Sequence, residues 1–340
     1  MRRRIIYGTL AAFSVIGLAV GIYLFQMYDS VKDTVAAIYE PLEPPALADD
    51  PRATASAAED DGVDDVVDTV NQAEPGLIDP AVVQGSTLVH GPVDLKNKEP
   101  FTLLVMGVDE RMGDRGRSDT IIVLGVNPAK NSVLMFNIPR DTRTELIGRG
   151  TEDKINHAYA FGGTRMAIDT VSDFLGVPIN YYVKVNMEGL VQIIDILGGV
   201  QIDNPFEFRF ERVTYPEGPI HLDGRDAMMY TRMRYDDPRG DFGRNARQQL
   251  VLSDLIERAK RISTVTKIPD ILKEVEENTR TNLTMDDIMD IYNNYRKQAS
   301  DIYKDEIKGS GKHIDGIYYY IVEEAERQRM HDKLASHLQP

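Results

Sequence analysis

The chain has 340 residues, 42% of them hydrophobic and 27% charged, and carries a formal net charge of −15 at pH 7. These proportions allow a sizeable core, whereas the acidic balance excludes general nucleic-acid binding, which needs a basic face. Cysteine is absent, which rules out disulfides and thiolate metal sites and suits an exported domain that needs no oxidative folding.

Arg2, Arg3 and Arg4 precede Ile5 to Met27, a run without a charged residue. About 20 apolar residues span a bilayer core. A cleavable signal peptide also starts with basic residues, but its apolar region is shorter and ends in a small-x-small site. This run ends Ile22-Tyr23-Leu24-Phe25-Gln26-Met27, so it reads as an uncleaved transmembrane helix (5–27) behind a cytoplasmic tail (1–4). The positive-inside rule places everything after it outside the cytoplasm, as a single-pass membrane protein. Residues 28–95 read as a membrane-proximal helix, with Val31, Val35 and Ile38 on one side, followed by an acidic, proline-bearing linker unable to bury a core of its own.

From Lys96 the pattern changes. Strands are predicted at Thr102–Met106, Ile121–Val126 and Val133–Ile138, from short Val- and Ile-rich runs between polar clusters. Helices are predicted from Thr164 to Gly176 and from an Asn186 cap to Gly198-Gly199, with strands at Tyr181–Val185 and Val200–Ile202. Phe206–Ile220 reads as a hairpin, and Asp223 caps a short helix to Tyr230. Longer helices follow at Asp241–Ile262, Ile268–Asn278 and Thr284–Lys297, the last opened by a capping box of Thr284 and Asp287. That use of Thr284 makes Asn282-Leu283-Thr284 a chance match to a glycosylation acceptor. Ile314–Ile321 reads as an edge strand after a flexible turn, then a polar helix; aromatic runs such as Tyr318-Tyr319-Tyr320 more often pack a sheet than form a platform. Strands alternating with helices define an α/β fold, its domain occupying 96–300 with 301–340 as a closing strand and helix.

Between the first two strands lies Gly107-Val108-Asp109-Glu110-Arg111-Met112-Gly113-Asp114-Arg115-Gly116-Arg117-Ser118-Asp119-Thr120. Asp109 closes one strand and Asp119 opens the next, so both carboxylates can stand at one sheet end. Two such carboxylates suit a hard divalent cation, and nearby arginines suit the phosphates it bridges. The loop alone fits a solvated turn with incidental charges equally well. Three further clusters favour an anionic ligand: Asn137-Ile138-Pro139-Arg140-Asp141-Thr142, Lys154-Ile155-Asn156-His157-Ala158-Tyr159, and Tyr230-Thr231-Arg232-Met233-Arg234-Tyr235. In the third, an extended backbone would put Arg232 and Arg234 on one side. The segment from Asp241 to Gln249 then starts the long helix, whose N-terminal dipole adds to an anion site.

These segments, GVDERMGDRGRSDT, NIPRDT, DKINHAYAFGG, HLDG with YTRMRY, and DFGRNARQQ, resemble the LytR–CpsA–Psr family of cell-wall glycopolymer ligases over about Phe101 to Leu283. The resemblance implies a three-layer α/β/α sandwich with a mixed central sheet, whose apolar interior accepts a polyprenyl chain. It implies transfer of a glycan phosphate from polyprenyl pyrophosphate to a peptidoglycan hydroxyl, releasing polyprenyl phosphate. The acidic tether, three-arginine start and tyrosine-rich tail look most like the teichoic-acid members. By position, Asp109 and Asp119 resemble the carboxylates associated with Mg²⁺ (Mn²⁺ being the alternative). Arg117, Arg140, Arg232 and Arg234 resemble the pyrophosphate clamp, and Lys154, Asp241 and Gln248 further pocket residues; Asp114 and Arg115 fall in a variable part. Asp109 is the candidate base. Phe174, Leu190, Ile194 and Leu252 are candidate lining for the lipid, or ordinary core. The competing readings are a membrane-anchored polyprenyl-pyrophosphate-binding regulator and a pyrophosphate hydrolase.

Overall fold

A computed structural model describes residues 32–42, 88, 90–110, 115–261, 276–296 and 301–340. Among them no helix is long and apolar enough to cross a membrane. The expected anchor, most of the linker, Asp114 and most of the Ile268–Asn278 helix lie outside the described residues.

The framework is a six-stranded mixed sheet. Its strands are β1 (Phe101–Val108), β2 (Ser118–Asn127), β3 (Ser132–Asn137), β6 (Tyr181–Asn186), β11 (Thr279–Thr281) and β12 (Asp301–Glu306), in the spatial order β11-β6-β1-β2-β3-β12. β1 runs parallel to β6 and β12 parallel to β3, and the other pairings are antiparallel. Alternate residues face opposite sides, as a pleated strand requires. Leu104, Met106, Ile121, Val123, Leu134 and Phe136 pack with Ile168, Val171, Met330 and Leu334. The first of these helix residues lie on α2 (His157–Leu175) and the others on α7 (Glu324–Leu338). Ile122, Leu124, Val133 and Met135 point the other way, against Leu252, Ile256, Ile288 and Ile291 from α5 (Asp241–Arg261) and α6 (Met285–Asn294). Helices thus cover both faces of the mixed sheet. A second core forms where β7 (Val200–Asn204), the hairpin of β8 (Phe208–Phe210) and β9 (Val213–Tyr215), and β10 (Gly218–Leu222) meet α3 (Met187–Ile196), α4 (Gly224–Arg232) and α5.

Local signals place the helix ends. Asn186 accepts a hydrogen bond from the Gly189 amide, Asp223 from that of Asp226, and Thr284 with Asp287 completes the capping box. Gly176, in the left-handed region, ends α2, and Gly163 breaks that helix just before Thr164.

Several elements differ from the sequence expectation. Ile314–Ile321 is no edge strand: Asp315 and Gly316, both with positive φ, turn the chain between β13 (Ser310–Ile314) and β14 (Ile317–Ile321) in a separate hairpin. Asp-Gly favours this tight turn. The sheet edge is instead β12, whose side chains are mostly exposed or half-buried and therefore carry little periodic signal. The polar hairpin of β4 (Arg143–Leu146) and β5 (Thr151–Lys154) likewise gave no apolar pattern. Residues 32–38 are helical (α1), with Val35 and Ile38 buried; Tyr39 bridges to Thr281, and the carbonyl of Glu40 accepts from the Tyr182 hydroxyl at 2.7 Å.

Candidate active site

The site forms where β1 and β2 end beside α3, α4 and α5. A cavity of about 580 Å³ opens there, lined by Val105, Gly107 and Asp109 from β1 and its end. These three are two residues apart, as one face of a strand demands. On β2 the lining includes the adjacent pair Asp119 and Thr120 as well as Ile122. Regular pleating would send neighbours to opposite faces. The register shifts here: Gly107 pairs with Thr120 but Val108 with Ser118, leaving Asp119 as the bulged residue. A bulge re-aims one side chain, and this one brings Asp119 into the cavity with Thr120.

The two ends of the segment between these strands meet. The Asp109 amide donates to the Arg117 carbonyl at 3.2 Å, and Gly116 has φ +67°. A Cβ at Gly116 would lie 2.0 Å from the Asp109 carbonyl oxygen, so only glycine lets the returning chain pass this closely.

Arg140 follows β3 on a turn secured by Thr142, whose amide and hydroxyl both donate to the Pro139 carbonyl, at 3.0 and 2.6 Å. The same turn is tied to the second sequence cluster, because the Asn156 amide donates to the Arg140 carbonyl at 3.2 Å and the Ile155 amide to that of Thr142 at 2.8 Å. Arg140 Nη1 then lies 2.9 Å from Asp119 Oδ2, and Asn156 Nδ2 donates to Asp119 Oδ1 at 3.2 Å. Burial disfavours charge on Asp119, yet the Arg140 and Arg244 guanidiniums outweigh it and hold the carboxyl below its ordinary range. Burial likewise works against the Arg140 cation, but Asp119, Asp141 and Asp241 raise its pKa further.

Arg232 ends α4 and Arg234 follows two residues after it; both line the cavity, while Met233 between them is buried in the second core. The expected extended stretch is thus confined to the residues after the helix. Arg247 anchors this connection. Wholly buried, it ion-pairs with Asp237 and donates to the carbonyls of Tyr230 and Met233.

α5 supplies one wall. Arg244, Gln248, Val251, Leu252 and Leu255 recur at helical spacing and all face the cavity, so the wall changes from charged to apolar along the helix. Arg244 was not anticipated, although Asp241 and Gln248 were. It lies three residues after the first and four before the second, the spacing that shares a helix face, so the signal was present. Only 6% exposed, Arg244 pairs with Asp241 at 2.8 Å, while its Nε is buried without a hydrogen-bond partner. Burial, then the neighbouring Arg140 and Arg234 cations, depress its pKa. Crowding of like charge around an unsatisfied donor points to an anionic occupant.

Of the residues singled out from the sequence, Asp109, Asp119, Arg140, Arg232, Arg234 and Gln248 meet at the cavity. Gln248 is also engaged on both sides, donating to Thr120 Oγ1 at 2.9 Å and accepting from Asn137 Nδ2 at 3.1 Å. Asp241, Lys154 and Arg117 do not line the cavity. Asp241 stands behind it, beside Arg234 and Arg244. Lys154 reaches Asp141 at 3.2 Å, and Asp141 lies 3.8 Å from Arg140 Nε, so it supports the clamp from behind. Arg115 turns away to the Phe161 carbonyl. Among the proposed lipid contacts, Leu190 and Leu252 line the cavity, whereas Phe174 and Ile194 are fully packed in the two cores.

No group of three or more metal-ligating side chains occurs among the described residues. Mg²⁺ does not demand one, because it keeps several waters and uses one or two carboxylates together with substrate phosphates. Asp109 and the ionised Asp119, in one cavity with arginines on either side, fit that donor set.

Two aspartates from the ends of β1 and β2, Arg140 from the turn after β3, and Arg232, Arg234 and Arg244 from the end of α4 and the start of α5 thus share one cavity with apolar side chains, an α/β site whose chemistry suits an amphiphile with an anionic head. The chain belongs to the LytR_cpsA_psr family, whose model matches residues 55–336. It is 50% identical over 233 residues to the polyisoprenyl-teichoic acid–peptidoglycan teichoic acid transferase TagU of Bacillus subtilis (strain 168), covering 68% of this chain and 76% of that one. The crystal structure of B. subtilis TagU superposes with a TM-score of 0.60 at 45% identity, over 72% of this chain and 98% of that one. TagT bound to LI-WTA superposes with a TM-score of 0.63 at 25% identity, over 75% and 96% of the respective chains.

Proposed function

We propose that this protein transfers a teichoic-acid glycan phosphate from a polyprenyl pyrophosphate to a peptidoglycan sugar hydroxyl, outside the cytoplasm and anchored by residues 5–27. The observation that carries the reading is the cavity itself. Arg140, Arg232, Arg234 and Arg244 converge with Asp109 and Asp119 at one end, and Val105, Ile122, Leu190, Val251, Leu252 and Leu255 line the rest. A free nucleotide or sugar phosphate would have no use for the second half; a polyprenyl chain would. The transferase name of the TagU relative agrees with it.

In the proposed reaction the arginines hold the pyrophosphate oxygens and offset charge that builds on them, the main requirement of phosphoryl transfer. Mg²⁺, held by Asp109 and Asp119, would add charge neutralisation at those oxygens when bound. The acceptor hydroxyl attacks the glycan-side phosphorus in line, the bond to the bridging oxygen breaks, and polyprenyl phosphate leaves. The hydroxyl proton needs an acceptor within the cavity. Asp119, kept ionised by Arg140 and Arg244, is a poor one, so we assign that role to Asp109.

The test supplies full-length protein with Mg²⁺, a lipid-pyrophosphate glycan and a soluble peptidoglycan fragment. A covalently joined product is expected. Free glycan phosphate without joining would identify a hydrolase, and tight lipid binding without turnover a regulator; either would overturn the transferase reading.

A further inference from the structure

The proposed reaction has two substrates, and the cavity accounts for one. We propose that Tyr235 and Tyr318 form an aromatic platform beside the cavity mouth that binds the acceptor as a peptidoglycan saccharide; the inference rests on the transferase reading.

Of the three consecutive tyrosines on β14, Tyr319 and Tyr320 are packed, only 8% and 5% exposed. Tyr318 and Tyr235 are not, at 42% and 75%. Their positions follow from the fold. Tyr235 directly follows Arg234, whose guanidinium carbon lies 5.8 Å from the Tyr235 ring centre. The hairpin carrying Tyr318 is docked at the same rim: the Tyr320 amide donates to the Asp141 carbonyl at 2.8 Å, and the Tyr320 ring meets Phe242 edge-on at 5.4 Å. Asp141 and Phe242 immediately follow Arg140 and precede Gly243-Arg244 in the chain. Tyr318, two residues from Tyr320, shares its side of the strand. Its hydroxyl feels the charges of Asp141, Asp241 and Arg234, which places it at the same end of the molecule as the clamp.

Tyr318 is also held in place. A Cβ on Gly311 across the hairpin would lie 2.7 Å from its ring, so the glycine makes a seat for it, and His313 meets the ring at 5.5 Å. An exposed ring that is fixed loses little entropy on binding. Tyrosine rings offer an apolar face with a polar tip, which matches a pyranose with its C–H face and hydroxyl rim. The location selects this occupant over a protein partner, because the attacking hydroxyl must arrive at the arginine end of the cavity.

The chain contains no tryptophan, so Tyr318→Trp in full-length protein, in detergent, creates a single-tryptophan reporter at the platform, excited selectively over the tyrosines. Its emission should shift when soluble peptidoglycan glycan fragments are added. By direct binding measurement, Tyr318→Ala and Tyr235→Ala should each weaken fragment affinity about tenfold, roughly the value of one lost stacking contact. Tyr318→Phe should retain it. Binding of farnesyl pyrophosphate, which reports the cavity alone, should be unchanged in all of them. Absence of fragment binding by the unmodified protein, equal affinity in the double alanine variant, or parallel loss of farnesyl pyrophosphate binding would each overturn the platform. So would self-association that the double variant abolishes. If the unmodified protein binds fragments through the tyrosines yet makes no joined product, the transferase reading fails while the saccharide site stands.

Discussion

Asp119 and Arg140 face each other at 2.9 Å across the gap between the bulge on β2 and the turn after β3, and Arg140 leads on to Asp141 and Lys154. Charges therefore alternate along a line from the cavity to the protein surface. Each member fixes the next, so the guanidinium that meets the ligand is positioned before the ligand arrives.

Replacing Arg140 tests this line. Arg140→Ala removes a clamp cation and leaves Asp119 with Asn156 and the more distant Arg244. Transfer should fall at least a hundredfold, about 2.7 kcal/mol in transition-state terms. Because Asp119 retains 30% side-chain exposure, the loss of folding stability should be modest, roughly 1–2 kcal/mol. Turnover and denaturant midpoints measured together decide it: equal turnover in the variant and the unmodified protein would remove Arg140 from the site.

Arg244 and Arg247 should separate function from folding. Arg244 is crowded by cations in a buried position, so Arg244→Met should leave the melting temperature close to that of the unmodified protein and weaken farnesyl pyrophosphate binding at least tenfold. Arg247→Met strands the buried Asp237 carboxylate, and breaking such a pair costs about 3–5 kcal/mol. Thermal melts beside ligand titrations would show the two arginines exchanging roles if the assignment is wrong.

The pH dependence of stability offers a check on Asp119. Its carboxyl titrates below the ordinary 3.8 in the folded chain. A folded pKa beneath the unfolded one contributes stability that is complete above the unfolded value and is lost as pH falls through the folded one. Asp119→Asn should consequently be destabilising near neutral pH and progressively less so as pH falls below about 4. Denaturation midpoints across that range would show a narrowing gap; a constant gap would mean that the carboxylate's charge contributes nothing.

Gly116→Ala should disturb the site from outside the cavity. The added Cβ meets the Asp109 carbonyl and the residue must keep a left-handed backbone, together a strain of about 1–3 kcal/mol. Displacement of Asp109 should reduce turnover more than farnesyl pyrophosphate affinity, since the arginines come from other elements. Separate measurement of turnover and binding would expose the opposite pattern.

Much of this molecule is written in short-range chemistry. The buried strands, the caps at Asn186, Asp223 and Thr284, the stop at Gly176 and the one-sided face of α5 follow from residue spacing and local hydrogen bonding, which a chain carries wherever it folds. So does the concentration of arginine at element ends in an acidic protein, which pointed to an anion before any geometry was known. The tertiary structure alone decided what depends on distant residues meeting. The β2 bulge that turns Asp119 inward exists only against β1. Lys154 and Asp241 support the clamp rather than line the cavity because Asp141, Arg234 and Arg244 come between. Phe174 and Ile194 fill cores while Leu190 and Leu252 face the cavity, although all four look alike as apolar helix residues. The polar strands β4, β5 and β12 draw their pairing from neighbours rather than from their own periodicity, and periodicity is what sequence reading detects.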